Sequence, residues 1–293
     1  MKERRHMVQY LKPKTIEEAV SLLLEHEDTA KVIDGGTDLI VQLKKGEILP
    51  RYIVNIKDIP DQDIISYDEK EGLKIGTLAT IRSIEVSPVI RRKFSVLAQA
   101  ASQLGSWQVR NRATIGGNLC NAAPSAETAA ALIVLGANLK IAGADGERTV
   151  PIENFFTGPG RTVLHPHEIL AEIQVSNLPP RSGSAYIARN MRKALDLATV
   201  GVAVVATVND DILSDVKIAL GSVAPVPLRV KKAEVVIKGQ KLNDALLSEA
   251  GLVAAGEASP IDDLRGSADY RRKMIQVLVK RAVMQAVECV KAV

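Results

Sequence analysis

Two Gly-Gly pairs constrain this chain more than any other feature. Gly35-Gly36 follows the apolar run Val32-Ile33 and opens a short helical pattern, and Gly116-Gly117 lies eighty residues on, in a small, polar segment over residues 110–125. A Gly-Gly pair lets the backbone approach a neighbour or a ligand closely, because no Cβ intervenes. It can also turn successive N–H groups toward one anion. Thr37, Thr114, Asn118 and Ser125 add hydroxyl and amide donors beside the pairs. Two such loops fit a clamp on a pyrophosphate made without Lys or Arg. Two tight turns with no ligand fit the same residues, and residue types alone leave both open. Neither G-x-G-x-x-G after a strand nor G-x-x-x-x-G-K-S/T is present, which excludes a Rossmann crevice and a P-loop.

The patterns around the pairs divide the chain. Thr15 followed by Glu18 reads as a capping box and predicts a helix burying Ile16, Ala19, Val20 and Leu23. Residues 31–34 and 52–56 read as strands. Between them Leu39, Ile40 and Leu43 mark a short helix, with Lys44 and Lys45 in its last turn and Gly46 as its stop. That order predicts a small parallel sheet. Further on, strands are expected at 73–76, 138–142 and 169–175, and helices at 80–85, 94–104 and 127–135. Residues 178–184, rich in Pro, Ser and Gly, read as a linker. Strands at 200–208 and 216–220 follow, then helices near 229–237, 243–255 and 268–291. In the last helix Met274, Val277, Leu278 and Val283 are expected to form an apolar stripe, with Arg271, Arg272, Lys273, Lys280 and Arg281 on a solvated basic face.

A length of 293 residues suits two domains. The net charge of +4 is scattered without a run of five like charges, and only one Trp, five Tyr and three Phe occur, so no nucleic-acid partner is expected. No run of eighteen apolar residues exists, so no membrane span is expected. The charged start Met1-Lys2-Glu3-Arg4-Arg5 lacks an apolar continuation and predicts no signal peptide. Two distant cysteines, Cys120 and Cys289, fit a reduced, cytoplasmic protein and are too few for an iron–sulfur cluster. Cys120 reads as a small buried hydrophobe and Trp107 as a packing residue. His165-Pro166-His167 reads as a surface loop, since a metal site wants three or four convergent ligands.

Val32-Ile33-Asp34-Gly35-Gly36-Thr37-Asp38-Leu39 and Ala113-Thr114-Ile115-Gly116-Gly117-Asn118-Leu119 resemble the two FAD-binding loops of molybdenum hydroxylase medium subunits. That family includes the flavoproteins of aerobic carbon monoxide dehydrogenase and xanthine dehydrogenase. Tyr52-Ile53-Val54-Asn55-Ile56, Ala194-Leu195-Asp196-Leu197-Ala198 and the segment 263–272 resemble further signatures, so the likeness covers essentially the whole chain. It implies an α+β fold. A p-cresol methylhydroxylase-type FAD-binding domain would span 1–178, in subdomains of about 1–58 and 59–178, with a smaller C-terminal α/β domain over 184–293.

The likeness further implies non-covalent FAD, with Ile33, Asp34, Gly35, Gly36, Thr37 and Asp38 on one side of the pyrophosphate. Thr114, Ile115, Gly116, Gly117 and Asn118 would stand on the other. Glu127 falls where relatives carry an Asp near the ribitol or phosphate, and Leu170 would lie near the flavin ring. Ala188, Arg189, Lys193 and Thr199 occupy the region that supplies a ring partner in relatives, and none is assigned. His6 and His26 stand outside the motifs, as a dissociable flavin requires.

The function implied is an electron-transfer subunit. The organic substrate would react on a large molybdopterin subunit, and a small 2Fe-2S subunit would pass electrons to FAD and onward to NAD, a quinone or another acceptor. The assembly would be a dimer of heterotrimers. The redox chemistry belongs to the cofactor, so no catalytic side chain is expected here. A self-sufficient FAD-dependent oxidase or dehydrogenase is one alternative, disfavoured by the few aromatic and His residues in the motifs. A cofactor-free assembly or binding protein is another, disfavoured by the intact glycine loops.

Overall fold

A computed structural model describes residues 7–192 and 196–291 of the chain. The charged start, His6, Lys193, Ala194 and Leu195 therefore lie outside the described residues. The chain opens with β1 (Gln9–Leu11), α1 (Ile16–His26), β2 (Ala30–Ile33), α2 (Leu39–Lys45) and β3 (Tyr52–Asn55). The strands form the expected parallel sheet, in the order β1-β3-β2. Thr15 caps α1 by accepting the Glu18 amide at 3.1 Å, while the Glu18 carboxylate accepts the Lys14 amide at 2.6 Å, one residue ahead of the N-cap. Ala19, Val20 and Leu23 are buried, and Ile16 is only half-buried. Gly46 ends α2 in the left-handed conformation, with φ of 71°. No residue of α2 is buried, so its apolar side lacks the core contact its pattern leads one to expect.

The chain continues through β4 (Ile65–Asp68), β5 (Gly72–Gly76), α3 (Ile81–Val86), α4 (Pro88–Lys93), α5 (Ser95–Gln103), α6 (Trp107–Arg110), α7 (Ile115–Cys120) and α8 (Glu127–Leu135). It continues with β6 (Asn138–Gly143), β7 (Gly146–Pro151), the short pair β8 (Phe156–Gly158) and β9 (Arg161–Thr162), and β10 (Ile169–Val175). Five strands make an antiparallel sheet in the order β4-β5-β10-β6-β7. The segment expected to be a loop around Gly116-Gly117 contains α7, capped by the Thr114 hydroxyl. All nine residues of α8 are buried, which marks it as a helix covered on every side.

The C-terminal part comprises β11 (Ser182–Arg189), β12 (Val200–Asn209), β13 (Ile212–Gly221), β14 (Leu228–Arg229), α9 (Lys231–Ile237), α10 (Asp244–Glu257) and α11 (Ala268–Lys291). Its four strands form an antiparallel sheet in sequential order. Strand β11 begins inside the expected linker. Gly183 is there for contact rather than for flexibility, since a Cβ on it would stand 2.1 Å from the Ala286 carbonyl oxygen of α11.

One face of β12 (Ala203, Val205) joins the core around α5 and α8, and the other (Val202, Val204, Ala206) joins the core built with α10 and α11. The buried side of α11 is Ile275, Val279, Ala282, Val283 and Ala286, together with Leu278. It is rotated from the expected stripe, leaving Met274 half-buried and Val277 exposed. Arg271, expected on the solvated face, is buried. Its Nη1 donates to the Thr199 and Ser222 carbonyls, at 2.9 and 2.7 Å, and its Nη2 donates to Asp263 at 2.6 Å.

Candidate functional site

A cleft of about 500 Å³ opens between the β2–α2 turn and the segment leading into α7 and α8, and the glycine pairs stand in its walls. The first wall is the turn from β2 into α2. Gly36 there has a φ of 72°, a conformation that side chains rarely adopt. A Cβ on Gly35 would lie 2.2 Å from the Arg112 carbonyl oxygen, so this glycine lets the first loop touch the second. The second wall is pinned by backbone pairing. Ile81 N donates to Ala113 O at 2.8 Å, Ile115 N to Ala79 O at 3.0 Å and Gly116 N to Thr77 O at 2.9 Å. A Cβ on Gly116 would meet the Thr77 Cβ at 2.7 Å.

The loops converge at Asp34. The Thr114 hydroxyl donates to Asp34 Oδ2 at 2.5 Å and also accepts the Gly117 amide at 3.1 Å. Asp34 Oδ1 accepts the amide of Gly35, and a Cβ on Gly117 would stand 3.0 Å from that oxygen. Ile33, Asp34, Gly36, Thr37, Asp38, Thr114, Gly116, Gly117, Asn118, Glu127 and Leu170 all line the cleft. Two anticipated residues do not: Gly35 faces the second loop, and the Ile115 side chain lies in the core.

Backbone accounting separates the two loops. The amides of Gly36, Thr37 and Asp38 have no hydrogen-bond partner among the described residues. Those of Ile115, Gly116, Gly117 and Asn118 are all committed within the protein. Only the first loop therefore offers a row of amides, and the second offers side chains. Asn118 Oδ1 accepts the Thr128 hydroxyl at 2.5 Å, which leaves its Nδ2 donors for the cleft.

Electrostatics in the cleft follow from its depth. Glu127 opens α8 and is only 4% exposed, and its Oε1 has no partner. Burial, with the Asp38 carboxylate adding to it, pushes the Glu127 carboxyl up to about 7. Burial also raises Asp34, against the opposing hydrogen bonds of Thr114 and Gly35 and the charge of Lys57. Cys120 is not the buried hydrophobe expected, because its side chain is open to the cleft. Although the sulfur reaches the cleft, the protein packed around it, together with the Asp34 charge, pushes the thiol up to about 12, so it is no ready thiolate.

Trp107, expected to pack, is 58% exposed, and the Arg82 guanidinium stands 4.0 Å from its ring centre. His165 and His167 stack on each other, at 5.9 Å between ring centres, and no cluster of three or more potential metal ligands occurs among the described residues.

The sequence patterns missed Thr77, Leu104, Val109, Leu164 and Leu197, which also line the cleft. Thr77, Leu104, Val109 and Leu164 carry no local signal, and Leu197 lies in the segment 194–198 that resembles a family signature. The groups that converge are unpaired amides, an orphaned buried carboxyl, Asn and Thr donors and apolar walls. They suit a diphosphate ligand that also bears hydroxyls and a flat apolar ring.

Comparison with known proteins agrees with this chemistry. Residues 6–178 match the family described as the FAD binding domain in molybdopterin dehydrogenase, and residues 185–286 match the CO dehydrogenase flavoprotein C-terminal domain. The chain is 33% identical over 279 residues to the putative xanthine dehydrogenase FAD-binding subunit XdhB of Escherichia coli strain K12, with 95% of each chain covered. It is 34% identical over 278 residues to the carbon monoxide dehydrogenase medium chain of Hydrogenophaga pseudoflava, covering 95% of this chain and 96% of that one. A solved structure of the Hydrogenophaga pseudoflava carbon monoxide dehydrogenase superposes with a TM-score of 0.92 at 33% identity, covering 95% and 96% of the two chains.

Proposed function

This chain belongs to the FAD-binding medium subunits of the molybdenum hydroxylases, and on that premise we propose that it relays electrons from an iron–sulfur partner to a final acceptor. FAD is its cofactor, and the chain is an oxidoreductase component. The single observation that carries the site assignment is the convergence of the glycine loops at Asp34 and Thr114 beside unpaired backbone amides.

The flavin supplies the redox chemistry when bound, and the chain supplies position and electrostatics. The amides of Gly36, Thr37 and Asp38 would hold the diphosphate. Thr114 and Asn118 would face it from the second loop, while Gly35, Gly116 and Gly117 keep the walls close enough to enclose it. Glu127, with its unpartnered Oε1, would meet a hydroxyl of the cofactor. Leu170 would stand near the ring, and Leu164 and Leu197 would help to exclude water. No side chain is needed as a general base.

The reading places a large molybdopterin subunit and a small 2Fe-2S subunit around this chain, in a dimer of heterotrimers in the cytoplasm. Relatives named as medium chains and FAD-binding subunits support it, as do two free cysteines that cannot make a cluster. No helix among the described residues is long and apolar enough to cross a membrane. The domain division proposed is 1–178, in subdomains of about 1–58 and 59–178, and 184–293.

The test has two readouts. Purified full-length chain should bind FAD stoichiometrically and release it on denaturation, and Gly117→Val should lower occupancy sharply. The reduced iron–sulfur partner should then bleach the flavin band of the reconstituted complex. Flavin retained on a denaturing gel would overturn non-covalent binding, and an unbleached band in a loaded complex would overturn the relay.

A further inference from the structure

The cleft carries an anion of its own. Asp34 leaves the end of β2 and inserts its carboxyl between the two loops, where Oδ2 accepts the Thr114 hydroxyl at 2.5 Å and Oδ1 accepts the Gly35 amide. The free amides of Gly36, Thr37 and Asp38 begin two residues on and line the same cleft as Asp34, so a diphosphate on those amides has this carboxyl nearby. The groups acting on Asp34 are few. Lys57, just beyond β3, is the cation that acts on it, and Cys120 on α7 is a neutral thiol. Asp38 and Glu127 are further acids lining the same cleft. Two like charges at close range in a partly desolvated site repel strongly.

Resting on the FAD assignment above, we propose that Asp34 bridges the loops as a carboxylate in the cofactor-free cleft and takes up a proton when the diphosphate of FAD enters, so that FAD affinity falls as pH rises. Protonation leaves the bridge standing, because a neutral carboxyl still accepts from Thr114 and Gly35 through its oxygens. Burial already raises Asp34 above the usual carboxylate range in the absence of any ligand, which lessens the cost of that proton. The sign follows from linkage: the bound form holds one proton more than the free form. Affinity is therefore greatest below the cofactor-free pKa of Asp34, and it declines with pH until the cofactor-bound pKa is passed.

Flavin-free full-length chain is titrated with FAD by fluorescence quenching from about pH 5 to about pH 8, a span above the ordinary Asp value of about 3.9. Wild type should lose at least about tenfold in affinity across the span. Asp34→Asn keeps an oxygen acceptor and lacks the charge. It should bind at least about tenfold tighter than wild type at the upper end, which is about 1.4 kcal/mol, with a flattened pH profile. Glu127→Gln removes the other carboxyl that titrates within this span, and the profile that remains should still fall with pH.

Calorimetry in buffers of different ionisation enthalpy supplies a second readout that needs no change at Asp34. It should show proton uptake on FAD binding by wild type and by Glu127→Gln alike. An Asn variant no tighter than wild type at the upper end, or FAD binding without proton uptake, would overturn the proposal while leaving the FAD site standing. Absence of FAD binding at every pH would overturn both.

Discussion

At the scale of single residues, the glycines of the two pairs do different work, and only their surroundings tell them apart. Gly36 answers a positive φ, Gly35 a carbonyl oxygen of the opposing loop, and Gly116 the Thr77 side chain. Glu127 is the residue whose environment conflicts most with its chemistry. It is buried with one oxygen unpartnered, and its pKa moves from 4.5 to about 7. A carboxyl raised in the folded state stabilises the fold when protonated and loses that contribution as pH climbs from its unfolded to its folded pKa. At about 1.36 kcal/mol for each unit of pKa difference, the cost approaches roughly 3 kcal/mol above the folded pKa. Glu127→Gln, free of FAD, should therefore match wild type near the lower value. It should be the more stable protein above about 7, by up to that amount, in denaturant unfolding followed against pH. A difference independent of pH would show that the carboxyl is solvated.

At the scale of elements, α11 shows how one buried charge rotates a helix face. Arg271 turns inward to reach two carbonyls and Asp263, so positions 275, 279, 282 and 286 pack and Val277 stays outside. Ser222 in turn donates its amide to the Pro124 carbonyl at 2.8 Å, which ties this staple to the cleft wall next to Ser125. Removing one member of a buried ion pair costs about 3–5 kcal/mol. The lower end applies here, because the Asp263 side chain is 28% exposed. Arg271→Met should therefore lose about 3 kcal/mol in denaturant unfolding, as the low end of that range. A loss below about 1 kcal/mol, the scale of a surface pair, would mean that water replaces the guanidinium.

At the scale of the whole molecule, the domains are not separable bodies. Helices α5 and α8 belong to the first, yet Tyr186, Ala203, Val205 and Ala219 of the C-terminal sheet share their core. Ser184 accepts the Val96 amide at 3.2 Å, and Gln99 accepts the Tyr186 amide at 2.7 Å. Arg229 spans the junction, bonding Glu234 on its own side and Glu153 across it, at 2.8 and 2.7 Å. Burial alone would raise Glu153, but Lys231 and Arg229 hold it below the usual carboxylate range. A chain cut after Leu178 exposes the apolar face of α8, so residues 1–178 alone should aggregate or unfold without a cooperative transition. The full chain should melt in one step, and an isolated, cooperatively folding fragment would refute this coupling.

The sequence by itself determined what short-range physics controls: the capped start of α1, the Gly46 stop of α2, the bounds of α8 and β10, and the paired glycine loops with their FAD resemblance. The apolar run over residues 200–208 also identified the strand β12. Only the tertiary structure decided which helices cover it, that the second loop commits its amides internally, that Arg271 faces inward and that Asp34 sits between the loops. Those outcomes depend on contacts between segments far apart in the chain, where sterics and desolvation arise from a neighbour that no local pattern contains.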